Sequence, residues 1–167
     1  DMDIISLNIY SFLMREDIEF IRYCHKTYKN KEKWIDIIKK WNSEVIIPYV
    51  NYYYDTKENT YAIYVSKEIN TYNFFRNTKD TMFKKIDNES EQTKLAEIFK
   101  CPVEKISPLA LISDKEKSCC VYTDNKTFLG NDMLCFSPCS DTSSVILSTS
   151  SFFNDFLPKS KHNIKLI

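Results

Sequence analysis

The sequence predicts an α+β fold: N-terminal helices, a central β-hairpin, further helices, and a β-rich, cysteine-containing C-terminal part. Three observations carry this. Apolar residues recur at helical spacing up to Trp41 and again between Ile69 and Phe99. Two β-branched and aromatic runs, Val50 to Tyr54 and Thr60 to Val65, flank a polar segment with turn chemistry. From Val103 onward, short apolar runs alternate with polar turns. Helices and strands segregated in this way fit an α+β arrangement better than a doubly wound parallel sheet.

The elements follow in order. Ile4, Ile5, Leu7, Ile9, Phe12 and Leu13 make a first apolar helix, and Ile18, Phe20, Ile21 and Cys24 a second, opened by Glu16 and Asp17. Asn30 caps a third helix whose inner face is Trp34, Ile37, Ile38 and Trp41. Beyond Pro48 comes the hairpin, with Tyr61, Ile63 and Val65 on one face and Ala62 and Tyr64 on the other. Ile69, Tyr72, Phe75, Met82, Phe83 and Ile86 are core candidates of a further helical stretch. A helix from near Asn88 buries Leu95, Ile98 and Phe99 and stops at Pro102. Leu109 to Ile112, Cys120 to Tyr122, Met133 to Phe136 and Val145 to Leu147 read as strands, and Ser151 to Phe156 as a short final helix. A chain of 167 residues fits a single mixed domain, 1–158, followed by a tail, 159–167; a sub-boundary near 102 is the alternative.

Composition excludes several chemistries. Gly130 is the single glycine. Walker A loops, dinucleotide fingerprints and nucleophile elbows need two or more, because backbone must approach phosphate or turn sharply. The two histidines, His25 and His162, leave little for a serine–histidine site, and Cys24 and His25 point apart if helical. No catalytic residue, cofactor or metal is therefore expected. The formal net charge is zero, which gives no global attraction to nucleic acid, and no apolar run is long enough for a transmembrane segment. Lysines interleaved with Trp34 and Trp41 could grip phosphate and bases, but the tryptophans share the inner stripe of their helix and are expected in the core.

Two features point to surface recognition. Tyr52, Tyr53, Tyr54, Tyr61 and Tyr64 crowd the hairpin, whose alternation puts large amphipathic rings on both sheet faces, so an uncovered face would meet a protein partner. Cys119, Cys120, Cys135 and Cys139 cluster between strand-like runs. Two disulfides among them, in unassigned order, are expected in an oxidising compartment, with buried free thiols as the alternative. Sequons at Asn88 and Asn125 are compatible with a glycoprotein.

The stretch Ile9-Tyr-Ser-Phe-Leu13, then Asp17-Ile18, Cys24-His-Lys-Thr-Tyr28 and Trp34 resembles the F-box core pattern. That resemblance implies docking to the family's adaptor protein through Ile9, Leu13, Ile18 and Ile21. The leading expectation is a non-enzymatic protein-protein interaction domain, secreted or surface-exposed, from an AT-rich virus or parasite, with an unknown protein partner and no nucleic acid. An intracellular adaptor with an F-box-like N-terminus, or a subunit of a larger assembly, is the alternative.

Overall fold

The computed structural model describes residues 4–68, 83–124, 128 and 130–166. The α+β class holds: helices combine with two sheets, and the C-terminal part is rich in strand. The elements are α1 (Ile4–Arg15), β1 (Ile21–Cys24), α2 (Lys31–Trp41), β2 (Tyr49–Asp55), β3 (Thr60–Ser66), β4 (Phe83–Lys85), α3 (Glu89–Phe99), β5 (Cys119–Thr123), β6 (Met133–Phe136), β7 (Ser143–Ser148) and β8 (Ile164–Leu166). Two 3₁₀ turns, Val103–Lys105 and Pro108–Ser113, follow α3, and a π-helical turn, Ser151–Phe156, follows β7.

Helix ends are set locally. Asn30 caps α2 and Asn88 caps α3, each accepting the backbone N–H three residues on. Glu16 and Asp17 do not open a second helix; they close the first. Asp17 takes a left-handed φ of 57°, its N–H donates to Met14 O at 3.2 Å, and the Ile18 N–H donates to Leu13 O at 2.9 Å. This is a Schellman ending, sealed by the buried pair Leu13 and Ile18. Lys100 ends α3 the same way at φ 54°, with the Cys101 N–H donating to Ala96 O. In a chain this poor in glycine, charged residues occupy positions that glycine usually fills.

With the first helix stopped there, the expected second helix does not form. Ile21 to Cys24 instead pairs antiparallel with β7, at the edge of a three-stranded sheet ordered β1-β7-β6. The F-box likeness fails with it, since that pattern needs helices where β1 stands.

The larger sheet is ordered β4-β2-β3-β5-β8. β2 pairs antiparallel with β3 and β4, so the expected hairpin is present, while β5 runs parallel to both β3 and β8. The main core lies between the two sheets. It combines Ile9 and Leu13 of α1, Ile63 and Val65 of β3, Phe99 of α3, Val121 of β5, Phe136 of β6, Leu147 of β7 and the rings Phe152 and Phe156. The outer face of the small sheet is covered by Trp34 and Ile38 of α2, against Cys135 and Ile146. The far face of the large sheet buries Tyr53, Ala62, Tyr64 and Tyr122.

Three further expectations change. Leu109 to Ile112 is a 3₁₀ turn, not a strand, because Ser107 accepts from the Leu109 N–H and Pro108 presets its first turn. Trp41, expected inside, is 40% exposed, whereas Trp34 is buried. Residues expected as a tail supply β8 and the buried His162. Phe83 lies in β4, and the helical core positions expected at Ile69, Tyr72, Phe75 and Met82 lie outside the described residues. No helix among the described residues is long and apolar enough to cross a membrane.

Candidate functional site

A cleft of about 430 Å³ opens where the two sheets part. One wall is the loop before α2 with the first residues of that helix: Tyr28, Lys29, Lys31 and Trp34. The second is β2 and its approach, with Pro48 and Tyr52. The third is the first 3₁₀ turn and the segment after it, with Glu104 and Lys105, and the floor is the end of β6, with Cys135 and Ser137, beside Asp141. Aromatic rings, cations and carboxylates thus converge on one concavity of ligand size.

The floor is a braced loop. Ser6 of α1 donates to Pro138 O at 2.7 Å, and the Tyr10 hydroxyl donates to Ser143 Oγ at 2.8 Å. Ser137 donates to Ser140 O, and Ser140 and Thr142 share a further hydroxyl contact. Cys139 sits at φ 63° in this loop, a left-handed conformation that costs a residue with a Cβ about 1–2 kcal/mol. Such strain persists only where surrounding structure enforces it, and it clusters at binding and catalytic sites.

The ionisable groups set the chemistry. Burial pushes the Cys135 thiol up to about 12, so at neutral pH it is a protonated wall rather than a nucleophile. Burial also raises the Tyr28 hydroxyl and lowers the Lys31 ammonium below its ordinary value. The side chain of Lys31 reaches over the ring of Tyr49, 5.8 Å from its centroid. Tyr52 presents its ring to the cleft while its hydroxyl turns inward. That oxygen is shielded from solvent and has no hydrogen-bond partner among the described residues, and burial raises its pKa well above the ordinary value. Among the described residues, no three His, Cys, Asp or Glu side chains are placed to hold a metal ion.

The sequence-predicted tyrosines divide between the faces of the large sheet. Tyr53 and Tyr64 are fully buried on the far face, and Tyr52, Tyr54 and Tyr61 are half-buried against the main core. Tyr54 and Tyr61 pack edge to face at 5.0 Å, and Tyr54 donates to Asn59. The hairpin is therefore largely core, with one of the five, Tyr52, at the cleft. No disulfide joins Cys119, Cys120, Cys135 and Cys139. Cys119 and Cys139 belong to the main core, Cys120 to the tyrosine face and Cys135 to the α2 layer, which sets them in three packing clusters. The cleft itself escaped sequence reasoning because its walls are drawn from segments up to a hundred residues apart. The one available signal was the lysines interleaved with Trp34.

No family model and no curated protein matches the chain. Its fold is shared with solved structures. The crystal structure of hypothetical protein APE2540 is similar over 93% of this chain and 95% of that one, with a TM-score of 0.62 and 9% identity. A "putative trans-editing enzyme for prolyl tRNA synthetase" is similar over 99% and 98%, with a TM-score of 0.64 and 8% identity. A chain from work on epitope backbone grafting onto scaffold proteins is similar over 99% and 97%, with a TM-score of 0.66 and 6% identity. These likenesses define the fold. They also correct the expectation of a secreted or surface-exposed viral or parasite interaction domain, because the chain shares its fold, end to end, with a protein described as a "putative trans-editing enzyme".

Proposed function

We propose that this chain is an editing-type ester hydrolase whose cleft takes the aminoacyl end of a charged tRNA. The observation that carries this is the cleft, in a fold shared with the chain described as a "putative trans-editing enzyme for prolyl tRNA synthetase". An aminoacyl ester presents an ammonium, an ester carbonyl and nearby phosphates. Glu104 and Asp141 suit the ammonium, Lys29 and Lys31 suit phosphate and developing negative charge, and Trp34 with Tyr28 offers apolar surface to the remainder.

Water is the nucleophile in this scheme. Its oxygen bonds to the ester carbonyl carbon, the bond from that carbon to the ribose oxygen breaks, and the ribose oxygen takes a proton as the free amino acid leaves. No enzyme-bound acyl group is required, which agrees with the protonated state of Cys135. The proposal departs from the expectation of no nucleic acid, which rested on the zero net charge and on placing both Trp34 and Trp41 in the core.

The test is deacylation of a panel of correctly and incorrectly charged tRNAs, beginning with tRNA for proline. At least one should lose its amino acid well above the spontaneous rate, and Lys31→Ala and Asp141→Asn should each slow it at least tenfold. Tight binding with no acceleration for any member would make the domain a binder and sink the hydrolytic reading.

A further inference from the structure

Five rings run from the protein surface to the mouth of the cleft. Trp41, at the end of α2, stacks on Tyr23 of β1 with centroids 4.3 Å apart and planes 14° apart. Tyr23 lies 5.7 Å from His25, His25 lies 5.9 Å from Tyr28, and Tyr28 stacks on Trp34 at 6.1 Å. Tyr28 and Trp34 are the aromatic wall of the cleft.

This row is more than overflow from the core. Trp34 belongs to the α2 cluster, with Tyr23 and Tyr28 packed against it, but Trp41 is outside that cluster. Trp41 keeps 40% of its surface open, an exposed large apolar ring at the end of α2. Tyr23 stacks on one of its faces. The inner rings are held by a hydrogen-bond relay. The Trp34 Nε1–H donates to Ser144 Oγ at 2.8 Å, the Ser144 hydroxyl lies 2.8 Å from His25 Nε2, and His25 Nδ1 lies 2.9 Å from Lys26 O. With Nδ1 donating to that carbonyl, Nε2 accepts from Ser144, and both rings are fixed before anything binds. Near the row, Lys26, Lys29 and Lys40 are exposed.

We infer that these rings form a stacking track for a single-stranded RNA 3′ end and lead it into the cleft. Every base offers a π face to such a platform, and the flanking cations meet the backbone between bases. The charge is local, which is why a net charge of zero concealed it. The inference rests on the reading of the cleft as an aminoacyl site, and it adds the surface that guides the strand there.

The test is fluorescence anisotropy with a fluorescein-labelled single-stranded RNA of about ten nucleotides ending in CCA, over a series of salt concentrations. Trp41→Ala and Tyr23→Ala should each weaken binding roughly ten- to a hundredfold, and Trp41→Phe should restore most of it. Lys26→Ala with Lys40→Ala should flatten the salt dependence. Tryptophan emission of the wild-type protein should be quenched by the RNA. Because Trp41 is half open, its variants should keep the wild-type circular dichroism, so a loss of binding is not a loss of fold. Unchanged affinity in both ring variants overturns the track, even if charged tRNA is still hydrolysed. Ring-dependent RNA binding by a protein that hydrolyses nothing keeps the track and removes the cleft reading instead. Binding that ignores both salt and the rings overturns the track in favour of another class of partner.

Discussion

Asp114 and His162 form a hydrogen-bonded contact that is almost completely sealed, with side-chain exposures of 1% and 0%. Asp114 Oδ2 lies 3.0 Å from His162 Nε2 and accepts the Cys119 N–H at 3.0 Å, while Oδ1 accepts the Ser118 N–H at 3.0 Å. The carboxylate thus ties the turn before β5 to the approach to β8. Removing it in Asp114→Ala leaves two backbone donors and a buried imidazole without their acceptor. At about 1–3 kcal/mol for each buried group left unsatisfied, partly relieved by relaxation, the loss comes to about 3–5 kcal/mol. For a chain of this size, 1 kcal/mol moves Tm by about 2–4 °C, so the variant should melt about 6–20 °C lower. Burial by itself would raise the Asp114 carboxyl, but the bonds from His162 and the two backbone N–H groups outweigh it and hold its pKa below the ordinary value. A folded pKa below the unfolded one means the contribution is fully present above about pH 4 and is lost as pH falls through the folded value. Thermal melts by far-ultraviolet circular dichroism at pH 7 and pH 3 test both parts. The gap between wild type and Asp114→Ala should be wide at pH 7 and narrower at pH 3. A gap under about 3 °C at pH 7, or one that persists unchanged at pH 3, would refute the reasoning.

Lys100→Gly should raise stability by about 1 kcal/mol, measured by urea unfolding, because glycine holds φ 54° without the Cβ clash; a loss would mean the lysine side chain contributes more than its backbone costs. Tyr52→Phe should also stabilise, by about 1 kcal/mol, since it deletes a buried hydroxyl with no partner among the described residues; a clear drop in the urea midpoint would reveal a partner. Alkylation of the native protein at pH 7.5 should label the exposed Cys24 quickly and the buried Cys135 slowly, and mass spectra with and without reduction should agree. A mass difference of about two protons per bridge would restore the disulfide expectation.

What the sequence revealed, and what it hid, divides along range of interaction. Asn30, Asn88 and the hairpin around 55–59 act on residues within a few positions, so local pattern sufficed for α2, α3, β2 and β3. Ile21 to Cys24 carries a period that suits a helix, and only the distant edge of β7, reached after Asp17 ends α1, makes it a strand. Likewise 164–166 looks like a tail until β5 is there to pair with it. The same logic explains the misplaced site. Tyrosine abundance drew attention to the hairpin, yet abundance does not say which face is covered, and two opposed cores cover both.

The cleft and the ring track share one structural cause. α2 lies on the outer face of the small sheet, so its N-terminus ends at the cleft and its C-terminus at Trp41. One helix therefore supplies both ends of the proposed path, and its position depends on Trp34, buried and bonded to Ser144. Trp34→Phe would keep much of the apolar contact but lose the Nε1–H bond, freeing Ser144 and with it His25. If the track acts as one unit, that single change should weaken RNA binding at the distant Trp41 end as well as at the cleft, while Trp41→Ala should leave the hydrolysis of a minimal aminoacyl nucleoside untouched. This asymmetry follows from where the two tryptophans sit: one is the helix's anchor, the other its exposed end.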